Sequence, residues 1–168
     1  ERATFRPTAT RTIPPTERSS WRGEIQGVVH DETAFILQRE GFDAGCAGLF
    51  SDTGDLLNVV EMMLNNGVYK GATIYNPDTM ILMTTNALAP IGAWAGIGWE
   101  LNQPRFMGKY SHEHMVGKSG FTGTSMVIDP KSASGIVILS NRTYPKRPAH
   151  TDAINEFRRT AADIVFAP

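Results

Sequence analysis

The sequence predicts an α+β fold, an antiparallel β-sheet flanked by helices with a C-terminal helix packed on the sheet. Three observations lead there. Apolar residues recur at helical spacing between positions 56 and 83. Strand-like segments then follow one another from about 95 to 140, with a turn signal between the last two. An amphipathic stretch after Pro148 closes the chain.

Residues 1 to 27 are rich in Thr, Arg and Pro, with Pro7, Pro14 and Pro15 and little periodicity. Proline fixes φ and removes a backbone donor, so this stretch reads as an extended arm. The expected organisation is therefore arm and loops over 1–50, continuing from a missing upstream part, and an α+β portion over 51–168. With no initiator Met and no signal-peptide pattern at Glu1-Arg2-Ala3, the chain reads as a fragment, a processed product or a trimmed piece.

The first clear helix follows Ser51, its expected N-cap, with Asp52 and Asp55 near the positive end. Leu56, Val59, Val60, Met63 and Leu64 form its stripe, and Asn65-Asn66-Gly67 stops it. A shorter helix starts at Asn76-Pro77, with Pro at the first helical position, and runs through Met80, Ile81 and Met83. Ala95 to Leu101 alternates small and large residues, as a strand does when something packs on its glycine face. Residues 112–118, 123–128 and 135–140 read as further strands, and Asp129-Pro130-Lys131-Ser132 turns the last hairpin. The unbroken apolar run Ile136-Val137-Ile138-Leu139 predicts a central strand covered on both faces. In the final helix Thr151 is the expected cap, and Ile154, Phe157, Ala161, Ile164 and Val165 the buried stripe.

At 168 residues, 41% hydrophobic and 20% charged, the chain has the composition of a globular domain with a real core. Sixteen Lys plus Arg against 17 Asp plus Glu give a formal net charge of −1, and with it no electrostatic reason to expect nucleic acid as a partner. No apolar run is long enough for a membrane span. Cys46, the one cysteine, excludes an internal disulfide, and its small neighbours predict a buried structural thiol.

Lys118-Ser119-Gly120, followed by Phe121, is the most informative segment. Beside an acyl-transfer site, a Lys-Ser/Thr-Gly triplet on an edge strand has a physical logic. The ammonium and hydroxyl bind a substrate carboxylate, and the glycine lets substrate lie against the strand. The next backbone N–H, that of Phe121, can stabilise a tetrahedral oxyanion. Three residues alone say little, because a surface Lys entering a Gly turn is common.

The surrounding blocks make the difference. Ile13-Pro14-Pro15-Thr16-Glu17, Trp21-Arg22-Gly23, the Gly27 to Ala34 stretch with His30-Asp31, and Ala47-Gly48-Leu49-Phe50-Ser51 come first. Gly96-Ile97-Gly98-Trp99, the Gly120-to-Ser125 run, Ile128-Asp129-Pro130 and Leu139-Ser140-Asn141-Arg142 follow. In this order they resemble the C-terminal part of the serine β-lactamase-related family, which includes class C β-lactamases, D,D-peptidases and related carboxylesterases. The resemblance implies a partial β-lactamase/transpeptidase-like fold and acyl transfer on an amide, ester or lactam. Within it, Lys118, Ser119 and Gly120 bind substrate and Phe121 gives half of the oxyanion hole. The implied partners are the missing N-terminal half or a second copy, together with a small acyl or peptide substrate. The implied location is periplasmic, envelope-associated or secreted.

The departures are equally specific. No serine is followed three residues later by lysine, and no Tyr or Ser has Asn two residues on, so the family's nucleophile motif and its second motif are absent from these 168 residues. The chain alone is expected to be inactive. A non-catalytic module of the same lineage, binding peptidoglycan-like peptides or a protein, is the alternative. Cys46 stands where a His is common in the related Gly-His-Ala-Gly block.

His30-Asp31 admits a catalytic-dyad reading, but adjacent side chains seldom point at each other, so a supporting loop network is favoured. His112 and His114 share a strand face without a third ligand, so no metal is expected, and no cofactor is expected either. Met62, Met63, Met80 and Met83 are expected to fill core, as are Trp94 and Trp99. No Gly-x-Ser-x-Gly elbow is present, which disfavours an α/β-hydrolase.

Overall fold

The computed structural model describes residues 3–8 and 13–168; residues 1, 2 and 9–12, part of the expected arm, lie outside the described residues. The N-terminal stretch is more regular than its composition predicts. β1 (Glu17–Ser19) and β2 (Gly23–Ile25) form an antiparallel hairpin, and α1 (Glu32–Arg39) follows. Asp31 caps α1, its Oδ1 accepting from the Ala34 N–H at 2.8 Å. Only Ala34 of this helix is buried, so there was no apolar stripe to announce it.

α2 (Thr53–Leu64) is capped by Asp52, not Ser51, through a 3.0 Å bond from the Asp55 N–H. A carboxylate at the positive end of a helix adds charge to the capping bond, which favours Asp52 over its neighbour. A minimal hairpin of β3 (Val68–Tyr69) and β4 (Ala72–Thr73) leads to α3 (Pro77–Thr84), capped by Asn76 as expected. β5 (Glu100–Leu101), the four-residue α4 (Pro104–Met107), β6 (Val116–Ser119), β7 (Ser125–Asp129), β8 (Ser134–Ile138) and α5 (Asp152–Val165) complete the chain.

β5, β6, β7 and β8 form one antiparallel sheet in that order. Its two faces bury separate cores. Val116, Met126, Ile128 and Leu101 pack with Val60, Met62, Met63, Met80 and Met83 of α2 and α3. Val127 and Met115 pack with Phe106 and Met107 of α4 and with Ala162 and Phe166 beyond them. The four expected core methionines are all buried, and Trp94 and Trp99 pack partly buried against the first core. Full burial of a Val or Ile side chain contributes about 1.5–3 kcal/mol, so Val116, Val127 and Ile128 anchor β6 and β7 from both sides. α4 packs closely on Gly117: a Cβ there would lie 3.0 Å from Met107 Cε and 2.6 Å from the Met126 carbonyl oxygen.

Three expectations are corrected. The Ala95–Leu101 strand shrinks to Glu100–Leu101 plus an isolated bridge from Ala95 to Glu100. β6 and β7 are the inner strands, β7 being buried at every position, while β8 is an edge strand of the described sheet and only half-buried. The apolar run marked a strand packed on by α2 and α5 together, which does not fix its place in the sheet. In α5 the buried residues are Ile154, Arg158 and Ala162, with Phe166 just beyond, whereas Phe157, Ile164 and Val165 are exposed. An arginine sits on the inward face, so the apolar residues alone pointed to the wrong side of the helix.

Candidate active site

The strand that carries Lys118 is not a simple edge. β6 pairs with β7 along its whole length, but β5 reaches only Val116 and Gly117. Lys118 and Ser119 therefore have no strand opposite them on the β5 side, which leaves that segment accessible as an edge would be. Lys118 shares the face of Val116 by strand alternation, which is the α2–α3 face. Its side chain is 61% exposed, and its ammonium lies 4.0 Å from Glu100, itself bonded to Arg105. A groove of about 620 Å³ on the same face, lined by Met63, Met80, Ile81, His114 and Lys131 among others, opens beside Val116 and does not include Lys118.

Beyond Ser119 the chain makes a tight turn held by its own backbone. The Gly120 N–H donates to the Thr124 carbonyl at 2.7 Å, and the Gly123 N–H donates to the Gly120 carbonyl at 3.2 Å. Gly123 has φ +121°, and a Cβ there would meet Ser140 Oγ at 2.6 Å, so only glycine fits. A Cβ at Gly120 would lie 2.2 Å from Thr124 Oγ1. Neighbouring segments grip the same turn. The Arg142 N–H donates to the Thr122 carbonyl at 2.8 Å, and Arg142 Nε donates to the Phe121 carbonyl at 2.7 Å. Arg158 Nη2 donates to the carbonyls of both Gly120 (2.9 Å) and Thr124 (2.7 Å). Every carbonyl from Gly120 to Thr124 is thereby engaged, whereas the Phe121 N–H meets no acceptor among the described residues.

The Phe121 ring is 54% exposed and rests among cations and an imidazole. The guanidinium carbons of Arg142 and Arg147 lie 4.7 and 5.4 Å from its centroid, and the His30 ring 5.6 Å away. Arg147 in turn closes a partly buried cluster around Glu17. It makes three bonds of 2.6–3.1 Å to the Glu17 carboxylate and one of 2.7 Å to Glu32. These bonds hold both carboxyls below their ordinary range and push Arg147 higher still. His30 places Nδ1 2.9 Å from Thr16 Oγ1. Its Nε2 is buried without a hydrogen bond, with the Glu17 carboxylate at 3.5 Å, too long for one. Burial lowers the His30 pKa, against the pull of Glu17, so the neutral ring is favoured.

His30 and Asp31 diverge: His30 joins the Glu17 cluster while Asp31 caps α1. No dyad forms between them, and His30 is the one of the two that touches Phe121. His112 and His114 lie in a turn before β6, not on a strand. His112 Nε2 is 3.2 Å from Asp129 and His114 faces Glu113, and no group of three His, Cys, Asp or Glu suited to a metal occurs among the described residues. Cys46, expected to be buried, is exposed, because it lies in a turn between α1 and α2 that belongs to neither core. No motif in the sequence marks Arg142, Arg147, Glu17 or, above all, Arg158 as a neighbour of this turn. For Arg158 a signal existed: it stands four residues from both Ile154 and Ala162, in register with the buried face.

Comparison with known proteins returns a consistent set. A family model described as Beta-lactamase matches residues 1–160. An Escherichia coli (strain K12) protein provisionally named D-alanyl-D-alanine carboxypeptidase is 39% identical over 125 residues, which is 71% of this chain and 28% of that protein. A Bacillus subtilis (strain 168) N-acetylmuramyl-L-alanine amidase is 36% identical over 125 residues, 71% of this chain and 27% of its own. The chain thus spans little more than a quarter of the length of either relative. Among solved structures, a β-lactamase from Mycobacterium bovis aligns with TM-score 0.53 and 21% identity over 72% of this chain and 45% of that one. Simvastatin synthase from Aspergillus terreus aligns with TM-score 0.57 and 16% identity over 100% of this chain and 48% of its own. At these identities the two structures speak to the fold: a mixed helical and antiparallel-sheet architecture of the β-lactamase/transpeptidase kind, of which this chain holds part.

Proposed function

Because the chain belongs to the beta-lactamase family, whose members are hydrolases of the serine type, we propose that residues 118–121 form one wall of an acyl-transfer site. The substrate is an amide, ester or lactam bearing a carboxylate. The Lys118 ammonium and the Ser119 hydroxyl hold that carboxylate, Gly120 keeps the strand open to the substrate, and the Phe121 N–H donates to the oxyanion. A serine of the full-length protein, outside these 168 residues, supplies the nucleophile. Its oxygen bonds to the carbonyl carbon, its proton passes by way of a neighbouring base to the leaving group, and the bond to that group breaks. Water then cleaves the acyl-enzyme. The 51–168 portion carries the wall, and the upstream half, or a second copy, completes the cleft.

The observation that carries this reading is the unspent Phe121 N–H. It follows the exposed Lys118 and the accessible Ser119 on a turn whose carbonyls are all engaged. A fixed backbone donor with no acceptor of its own is what stabilisation of a transient oxyanion requires.

Fluorescent penicillin tests it. Full-length protein should take up one covalent label and the 168-residue chain none. Lys118→Ala in the full-length protein should slow acylation by about tenfold to a hundredfold, the value of one charge-assisted contact. A stoichiometric adduct on the short chain would mean that the nucleophile lies within it. A full-length protein that binds peptidoglycan-like peptides yet never acylates would favour the non-catalytic module.

A further inference from the structure

Arg158 is a buried cation without a carboxylate. It is 4% exposed, and its guanidinium bonds only to carbonyl oxygens: Asn155 Oδ1 at 3.0 Å and the main-chain oxygens of Gly120 and Thr124. Its Nε is buried with no hydrogen-bond partner among the described residues. Burial lowers its pKa, Arg105 and Arg142 lower it further, and Glu100 pulls the other way. A guanidinium stays charged in proteins, so this arrangement costs stability that no ion pair returns. Stability alone gives little reason for an arginine here.

Its bond to Gly120 does give a reason. The Gly120–Phe121 peptide is planar and trans, so its C=O and the Phe121 N–H point in opposite directions. Whatever fixes the Gly120 oxygen also fixes the direction of the Phe121 N–H. Arg158 reaches that oxygen from α5, on the far side of the sheet from the Lys118 face. A cation on the carbonyl also polarises the amide and makes its N–H a stronger donor.

We propose that Arg158 is a positioning residue, its guanidinium aiming and polarising the Phe121 N–H through the Gly120–Phe121 peptide. This rests on the reading of Phe121 as an oxyanion donor. Arg158 itself touches no substrate. Its fork holds both ends of the turn, Gly120 and Thr124, so the donor is set before substrate arrives. Arg142, on the Phe121 carbonyl, grips the next peptide and cannot replace it.

The test uses the full-length protein with Arg158→Met and Arg158→Lys, read in three ways. In penicillin acylation, Arg158→Met should lower the maximal rate by about tenfold to a hundredfold, short of the loss expected for an absent oxyanion donor, with half-saturation changed less than twofold. Arg158→Lys, which keeps the charge but not the fork, should fall between the two. The amide proton of Phe121 should move upfield in the NMR spectrum of either variant, an effect that general loosening of α5 would not confine to this residue. If Arg158→Met does not fold, Arg158→Lys decides. A folded variant with the parent's maximal rate and an unmoved Phe121 amide overturns the proposal. Lys118→Ala separates the two levels. If it too leaves acylation intact, the site reading fails; if it slows acylation while the Arg158 variants do not, only the positioning role fails.

Discussion

Two arginines behind the same turn are handled in opposite ways. Arg147, only partly buried, spends its charge on Glu17 and Glu32 and ties the β1–β2 hairpin, α1 and the segment after β8 into one unit. Arg158 is more deeply buried and spends its charge on main-chain carbonyls. The first is explained by its partners: an ion pair joining three elements distant in sequence. The second has no such partner, and the proposed role of its carbonyls supplies the reason for it. Both approach Phe121, one through the ring and one through the peptide bond.

The contrast predicts different failures. Arg147→Met should give the largest loss of stability, about 3 kcal/mol by urea unfolding, because Glu17 would be left buried and unpaired. That value is at the low end for a buried pair because Arg147 is partly exposed. Arg158→Met should cost less, about 1–2 kcal/mol, since it removes an unpaired charge and leaves the Gly120 and Thr124 carbonyls one backbone donor each. If the order of these two losses reversed, the distinction between a structural and a functional arginine would fail.

A smaller effect is acid sensitivity. Glu17 and Glu32 have folded-state pKa values below their ordinary 4.5, held there first by the Arg147 bonds. The unfolded chain therefore takes up protons first as pH falls, so their stabilisation is complete above 4.5 and fades below it. His30, lowered from 6.5 mainly by burial, acts in the same direction: the folded state resists protonation and stability begins to decline below 6.5. The urea midpoint of the parent protein should thus fall in two stages on acidification. In Glu17→Gln the stage below 4.5 should shrink, and an unchanged acid profile would remove Glu17 from the account.

Much of this architecture was legible in the chain. α2, α3 and the β6–β7–β8 run announced themselves through helical spacing, the Asn76-Pro77 start and the Asp129 turn, because each repeats a simple periodic rule. α1 did not, since a two-turn helix with one buried residue has no stripe to read. β8 was misplaced because apolar residues report which faces are covered, whereas neighbours in a sheet are set by hydrogen bonds that leave no mark on residue type. The proposed site, Lys118 to Phe121, was suggested by the order of the blocks around it. Its support was not, because Arg142, Arg147 and Arg158 act from 21 to 38 residues away by bonds to backbone oxygens or rings. Only the fold brings such pairs together.

The most direct test of the central claim is a crystal structure of the full-length protein acylated by penicillin. The account predicts the acyl carbonyl oxygen about 3 Å from the Phe121 nitrogen and the drug carboxylate against Lys118 and Ser119. An acyl group whose oxygen points away from Phe121, with no contact to residues 118–121, would contradict it.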